Sequence, residues 1–373
     1  MFKDENLFHK DHDKSYAIHP QIPFHFNETL ITQNEMRLFQ GVLFFLLFCC
    51  LAYASERRIA LLVRDEFKGE ISFAYRLQAA CQNLHWKAEI VFIEKSKVLR
   101  KKSYDFVINL VPGTYRHPKC KNYLAVFHPK HHLFKKKGAL KKEYRSYDGY
   151  LTTFEPPPIG HKESLSNSQK FPHFRWYPSA QKRPFQIVDP THLFFICCIW
   201  GNRFEDEKFR QLLGLLDKEP YTRFYGKPLF KSLFPQSYLG KIPYDEESLM
   251  RIAAAAGVTL ILHSNDHNAQ GIPSGRIFEA AAASTVIICD QNAFVQEHFG
   301  DSVLYIDTQQ DSNSILSQIQ SHMKWIQENK TAALEKAEKA YSIYQEKFLL
   351  EDQLLKLEKF HEQASSQLIS FIW

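Results

Sequence analysis

The chain of 373 residues is long enough for two domains and a sizeable core. Its 45% hydrophobic, 24% charged and 14% aromatic residues exclude a disordered or fibrous protein. Net charge is +6 but uneven: residues 56–150 hold 21 Lys/Arg against 9 Asp/Glu, a balance of +12, so the remainder sums to −6. That asymmetry aims the first half at something anionic (a membrane surface, a phosphorylated ligand or nucleic acid) or is a solvated basic face. Seven cysteines without metal-ligand spacing read as free thiols and exclude a disulfide framework.

The first 35 residues are polar, His-rich and unpatterned. After Met36 and Arg37, an apolar run over Gly41–Leu51 ends in Ala52-Tyr53-Ala54 before Ser55. That pattern fits a signal peptide with small residues at its cleavage site, or a short anchor at 36–55 behind a polar tail. The run is short of the about 20 residues that a spanning helix needs. Localisation stays open between export, an anchor and a cytoplasmic, membrane-associated protein. Residues 1–55 are set apart on these grounds, and the folded part begins at Glu56.

From Arg58 strands alternate with helices. RIALLV (58–63) is a buried-strand run and ISFAYRLQAACQNL (71–84) has helical periodicity. AEIVFI (88–93), YDFVINLVPG (104–113), YLAVFHP (123–129) and DGYLTT (148–153) read as strands. Apolar strands interspersed with helices predict a parallel sheet covered on both faces. EPPPIGHKESLSNSQKFP (155–172) reads as a surface loop, and the three-proline stretch 174–190 as an interdomain linker. A second series follows: strands at 192–202, 221–226, 237–242, 258–263 and 302–307, with helices at about 205–217 and 245–255. From Ser312 onward the pattern is helical. The fold class is α/β, with two doubly wound domains at 56–180 and 181–330 facing a cleft, and a helical segment at 331–373.

Chemistry concentrates in GIPSGRIFEAAAASTVIICD (271–290). A loop at a strand's carboxyl end opens into a helix whose first turn carries Arg276 and, one turn on, Glu279. Free N–H groups and partial positive charge at a helix N-terminus suit phosphate oxygens. Arg276 adds a fork of donors for a diphosphate, and Glu279 on the same side suits two adjacent hydroxyls, as on a ribose. A Ser274 cap with a surface Arg and a first-turn Glu is the structural alternative.

This stretch resembles the donor-binding segment of GT-B glycosyltransferases of the group 1 and CgeB-like kinds, which reads roughly G-x-P-S-x-R-x-F-E-A. The resemblance implies that Glu279 binds the nucleotide ribose while Ser274, Gly275 and Arg276 cradle the diphosphate and sugar. Further matches stand in the family's order. WGNRFEDEKF (200–209) keeps the Arg–x4–Lys spacing in Arg203 and Lys208, which by family role hold the diphosphate and stabilise the leaving nucleotide, although Asn202 is inserted after Gly201. RFYGKP (223–228) supplies Gly226; YLGKI (238–242) resembles the base-contacting strand, with Ile242; and the next strand ends at Ser264. Together these cover about 192–308. Retaining members carry an acid eight residues before the Glu of the E-A pair. Here the position is Gly271, or Asn268 if GIP is aligned with the family's GLP, and the nearest acid is Asp266.

The resemblance implies a metal-independent hexosyl- or related transferase without a cofactor, using a nucleotide sugar as co-substrate and a glycan, glycolipid or protein acceptor, as in polysaccharide biosynthesis. It also implies a terminal helix crossing back to the first domain. Candidate general bases are Asp65, at the end of the first strand, and His128, at the end of YLAVFHP. His263, Asp266 and His267 read as polar lining rather than a metal site. The stretch 128–145, with lysines from Lys130 to Lys142 around Leu133, Phe134 and Leu140, resembles a face that docks on anionic lipid; no nucleic-acid motif accompanies it. The alternatives are a nucleotide-sugar epimerase on the same fold and a catalytically inactive nucleotide- or sugar-binding protein.

Overall fold

A computed structural model of the chain describes residues 56–113, 116–134, 140–145, 147–154, 173–196 and 205–369. The expected leader at 36–55, the polar tail before it and the loop 155–172 lie outside these residues. No helix among them is long and apolar enough to cross a membrane.

The first domain is a parallel sheet in the order β2-β1-β3-β4-β5-β6. Its strands are β1 (Arg58–Val63), β2 (Lys87–Phe92), β3 (Phe106–Asn109), β4 (Lys121–Val126), β5 (Gly149–Thr152) and β6 (His173–Arg175). Helix α1 (Lys68–Asn83) joins β1 to β2 and buries Ile71, Phe73, Ala74, Leu77, Ala80 and Cys81. Ile59 to Val63 are all inaccessible to water, as an unbroken apolar run in a doubly covered strand requires.

The second domain repeats the plan in the order β12-β11-β10-β7-β8-β9. The chain runs through β7 (His192–Ile196), α2 (Glu207–Leu216), β8 (Thr222–Tyr225), β9 (Tyr238–Gly240), α3 (Ser248–Ala256) and β10 (Gly257–Ile261). It continues with α4 (Asn265–Gln270), α5 (Gly275–Ala282), β11 (Val286–Asp290), α6 (Ala293–Phe299) and β12 (Leu304–Ile306). Three helices close the chain: α7 (Ser312–Glu328), α8 (Lys330–Lys347) and α9 (Leu350–Ile369). As expected, the last returns to the first domain. Its Leu350, Leu354 and Leu357 are buried in one cluster with Ile59, Leu77 and Phe106, and Tyr123 Oη bonds to His361 Nδ1 at 3.0 Å.

Two stretches differ from the reading by pattern. The expected linker at 174–190 begins with β6, an edge strand whose register pairs Tyr150 with His173 and Thr152 with Arg175. The burial of Trp176, rather than any alternation, draws it onto the sheet. The polar loop after β10 contains the short helix α4, which starts because Ser264 caps it by accepting from the His267 N–H.

Candidate functional site

In an open parallel sheet, ligands bind beyond the strand carboxyl ends where the strand order reverses. In the second sheet that point lies between β7 and β10, since the chain winds outward through β8 and β9 on one side and β11 and β12 on the other. Beyond β7 come residues 197–204, which include Arg203 and lie outside the described residues. Beyond β10 come His263, Ser264 and α4, then the loop into α5. In the first sheet the reversal lies between β1 and β3, and Asp65 follows β1.

A buried polar network holds the β10–α5 connection. The Ser274 N–H donates to His263 Nε2 at 2.9 Å, so that nitrogen carries no proton, and Nδ1–H donates to Asp290 Oδ1 at 2.6 Å. Asp290 Oδ2 accepts from the His263 N–H at 2.9 Å and from Asn268 Nδ2 at 2.8 Å. Burial alone raises the Asp290 carboxyl, but the bonds from His263 and Asn268 outweigh it and hold the group below the usual carboxylate range. Asn292 donates to Asn268 Oδ1 at 2.9 Å and to the Ile272 carbonyl at 3.2 Å. His263, Cys289 and Asp290 sit close enough to suggest a metal centre. However, both imidazole nitrogens already serve Asp290 and Ser274, and the trio works as a hydrogen-bonded brace. Asn268, one of the two positions where a retaining enzyme keeps an acid, is part of that brace.

The mouth of α5 is built as the sequence suggested and is closed differently. Ser274 caps the helix by accepting from the Arg276 N–H. Gly275 lets the helix press on the linker, since a Cβ there would lie 3.2 Å from the Pro178 carbonyl. Glu279 is not open to the cleft: it is 2% exposed, with Oε1 2.8 Å from Arg76 Nη1 of α1 and Oε2 bonded to Arg276. Arg76 is itself 4% exposed and donates from Nε to the Ser179 carbonyl at 3.0 Å. Arg76 escapes a reading by sequence because it lies on the buried face of an ordinary amphipathic helix. An arginine at an apolar position was the available signal.

The other expected residues scatter. Lys208 Nζ donates to the Thr308 carbonyl at 2.8 Å, beyond the end of β12. Gly226 joins the β8–β9 pair through its N–H to the Gly240 carbonyl at 3.0 Å. Ile242 is buried with Met250 and Phe194. Ser264 Oγ lies 2.7 Å from His267 Nδ1. Asp65 is exposed and paired with Lys68 at 2.5 Å, which suits a carboxylate before a helix.

His128 stands just beyond β4, its ring 5.9 Å from that of His132. Burial, with His132 and His267 nearby, pushes its imidazole down to about 4. It is therefore unprotonated at neutral pH, the state a base requires. The two domains meet here: the Lys130 N–H donates to Gln270 Oε1 at 2.8 Å, and Ile272 is fully buried among Leu124, Leu133 and Tyr150 of the first domain. The apolar residues expected to stud a lipid-docking face are turned inward. Leu133 is inaccessible, and Phe134 and Leu140 pack on the same cluster. Lys135 to Lys137 lie outside the described residues.

Residues 195–351 match a family described as glycosyl transferase-like. No curated protein matches the chain. Among solved structures, it resembles the sucrose-phosphate synthase of Thermosynechococcus elongatus at 12% identity and a TM-score of 0.53, covering 84% of this chain and 100% of that one. It also resembles HepE of Anabaena, solved in complex with UDP and glucose, at 10% identity and a TM-score of 0.47, covering 84% and 100%. TarM matches at 12% identity and a TM-score of 0.42, over 69% of this chain and 54% of that one, so the chain spans about half of TarM's length. The fold is the two-domain GT-B fold, and the family match falls on the second domain, where the motifs stand.

Proposed function

We propose that this chain, whose residues 195–351 form a glycosyl transferase-like domain, transfers a sugar from a nucleotide-sugar donor to a glycan, glycolipid or protein acceptor. The observation that carries the reading is the coincidence of the motif residues with the reversal point of the second sheet: Ser264, Ser274, Gly275, Arg276 and Glu279 all follow β10. At that place the α5 N-terminus and Arg276 suit a diphosphate, and the motif resemblance gives Arg203 and Lys208 the same role. Glu279 takes the ribose once its carboxylate is released. His128 is the acceptor-side base, and the transfer needs no divalent ion because cationic side chains and backbone N–H groups stabilise the departing diphosphate. A basic first domain suits a charged acceptor or an anionic membrane surface at Lys130, Lys141 and Lys142.

Thermal-shift titration with UDP-, GDP- and ADP-sugars tests the donor claim. A rise in melting temperature with one nucleotide is expected, and no rise with any would refute it. The second reading, an inactive nucleotide-binding protein, is favoured by Asn268 serving the His263–Asp290 brace where a retaining enzyme keeps an acid. Binding without turnover of any acceptor or of water would establish it.

A further inference from the structure

We propose that Arg76 is a clasp that competes with the donor ribose for Glu279, so that donor binding and release of the first domain from α5 are one event. The inference rests on the reading of Glu279 as a ribose ligand. Arg76 Nη1 lies 2.8 Å from Glu279 Oε1, Arg276 holds Oε2, and the carboxylate is 2% exposed. A carboxylate has about four lone-pair sites, so two remain unfilled, but burial shuts them off from a sugar. Ribose hydroxyls reach Glu279 only where Arg76 lets go.

Each partner keeps other contacts when the pair parts. Arg76 retains the Ser179 carbonyl at 3.0 Å, Ser72 Oγ at 3.2 Å and the Phe73 ring at 5.5 Å. Glu279 retains Arg276. Breaking a buried ion pair is severe when it strands a charge; here Glu279 keeps a cation and Arg76 keeps two neutral acceptors and a ring face, which lowers the cost of exchange. The pair also sits where the domains touch. Ser72, one turn before Arg76 on α1, donates to the Asp245 carbonyl at 3.0 Å, and the loop before α5 inserts Ile272 into the first domain. Release of Arg76 therefore loosens the seam beside the donor loop.

The test compares ribo- and 2′-deoxyribonucleoside diphosphates by calorimetry on the full chain, using whichever of UDP, GDP and ADP binds. The proteins are the wild type, Arg76→Gln and Glu279→Gln. Loss of the Arg76 charge acts equally on both diphosphates, so the ratio of their affinities isolates the clasp. Arg76→Gln should raise the ribo preference about fivefold, because ribose no longer displaces a cation, and Glu279→Gln should bring the ratio near one. An unchanged or smaller ratio in Arg76→Gln, with collapse in Glu279→Gln, overturns the clasp alone and makes Arg76 a fixed pin or a positioning residue. A ratio unmoved by Glu279→Gln overturns the ribose reading and the clasp with it. Circular dichroism checks folding, and Arg76→Lys, a weaker single-point partner, should give an intermediate ratio if Arg76→Gln does not fold. An Arg76→Lys ratio equal to that of the wild type then overturns the clasp.

Discussion

Ile272→Ala tests whether the loop before α5 is seated on the first domain. The Ile272 side chain is fully inaccessible among Leu124, Val126, Leu133, Tyr144, Tyr147, Tyr150 and Phe154, all from the other domain. The substitution removes three side-chain carbons, about 2.4 kcal/mol of transfer free energy at about 0.8 kcal/mol per methylene. The void adds about 1 kcal/mol if a volume of roughly 40 Å³ persists, at about 24 cal/mol per Å³. A loss of about 3 kcal/mol is expected, read as a lower urea midpoint with unchanged slope. Amide exchange at residues 268–275 should quicken with it, because the loop can escape part of the cost by lifting away. Ile187→Ala, at a site 83% exposed, is the control and should stay within about 0.5 kcal/mol. A loss below about 1 kcal/mol with unchanged exchange would refute the seating.

Three further expectations follow from single sites. The His128 imidazole, pushed down from 6.5 to about 4 by burial and by His132 and His267, favours the folded state above 6.5 and withdraws that contribution as pH falls from 6.5 to about 4. At about 1.4 kcal/mol per pH unit the loss is about 2 kcal/mol at pH 5, so His128→Gln should melt with a shallower acid slope; identical slopes would contradict the burial argument. Gly257 has φ +83°, and a Cβ there would lie 2.3 Å from the Asp189 carbonyl oxygen, so Gly257→Ala should cost about 3 kcal/mol or more by chemical denaturation. Gly214→Ala in α2, with nothing within 4 Å, should be neutral or stabilising, and equal effects at both sites would refute the steric reasoning. Asp290→Asn should cost about 3 kcal/mol at pH 7, because an amide NH2 in place of either carboxylate oxygen would face a buried N–H donor from His263 or Asn268. Because the Asp290 carboxyl is held below its ordinary value, its contribution is present above about pH 4 and lost below it, so the variant should lose less than the wild type on acidification; parallel acid limbs would show that the brace carries no charge-dependent stability.

The central strands β1, β3 and β11 are legible because each is a mainly apolar run of four to six residues, the pattern that double burial imposes. The order of motifs along the second domain is legible through the resemblance, whose motifs each fall at a strand end or a helix start. Ser274 could be placed from sequence because a cap acts within two residues of the N–H it satisfies. The strand β6 could not, because three residues at a sheet edge are chosen by the burial of Trp176, which depends on the rest of the domain.

What stayed hidden is whatever depends on a partner far along the chain. Glu279 is read from sequence by its place at a helix mouth, and the reading has no means of seeing Arg76, which is some two hundred residues earlier and sits on a helix that needs no arginine for its own stability. The same blindness affects Leu133, Phe134 and Leu140, which among lysines look like studs on a basic surface until Ile272 arrives from the second domain to pack in the cluster they line. In both cases the sequence supplies the right residue types and the wrong direction for them to face. The Arg76–Glu279 pair and the Ile272 seat lie on one seam, so the part of the candidate site least legible in sequence is the part that two domains build together.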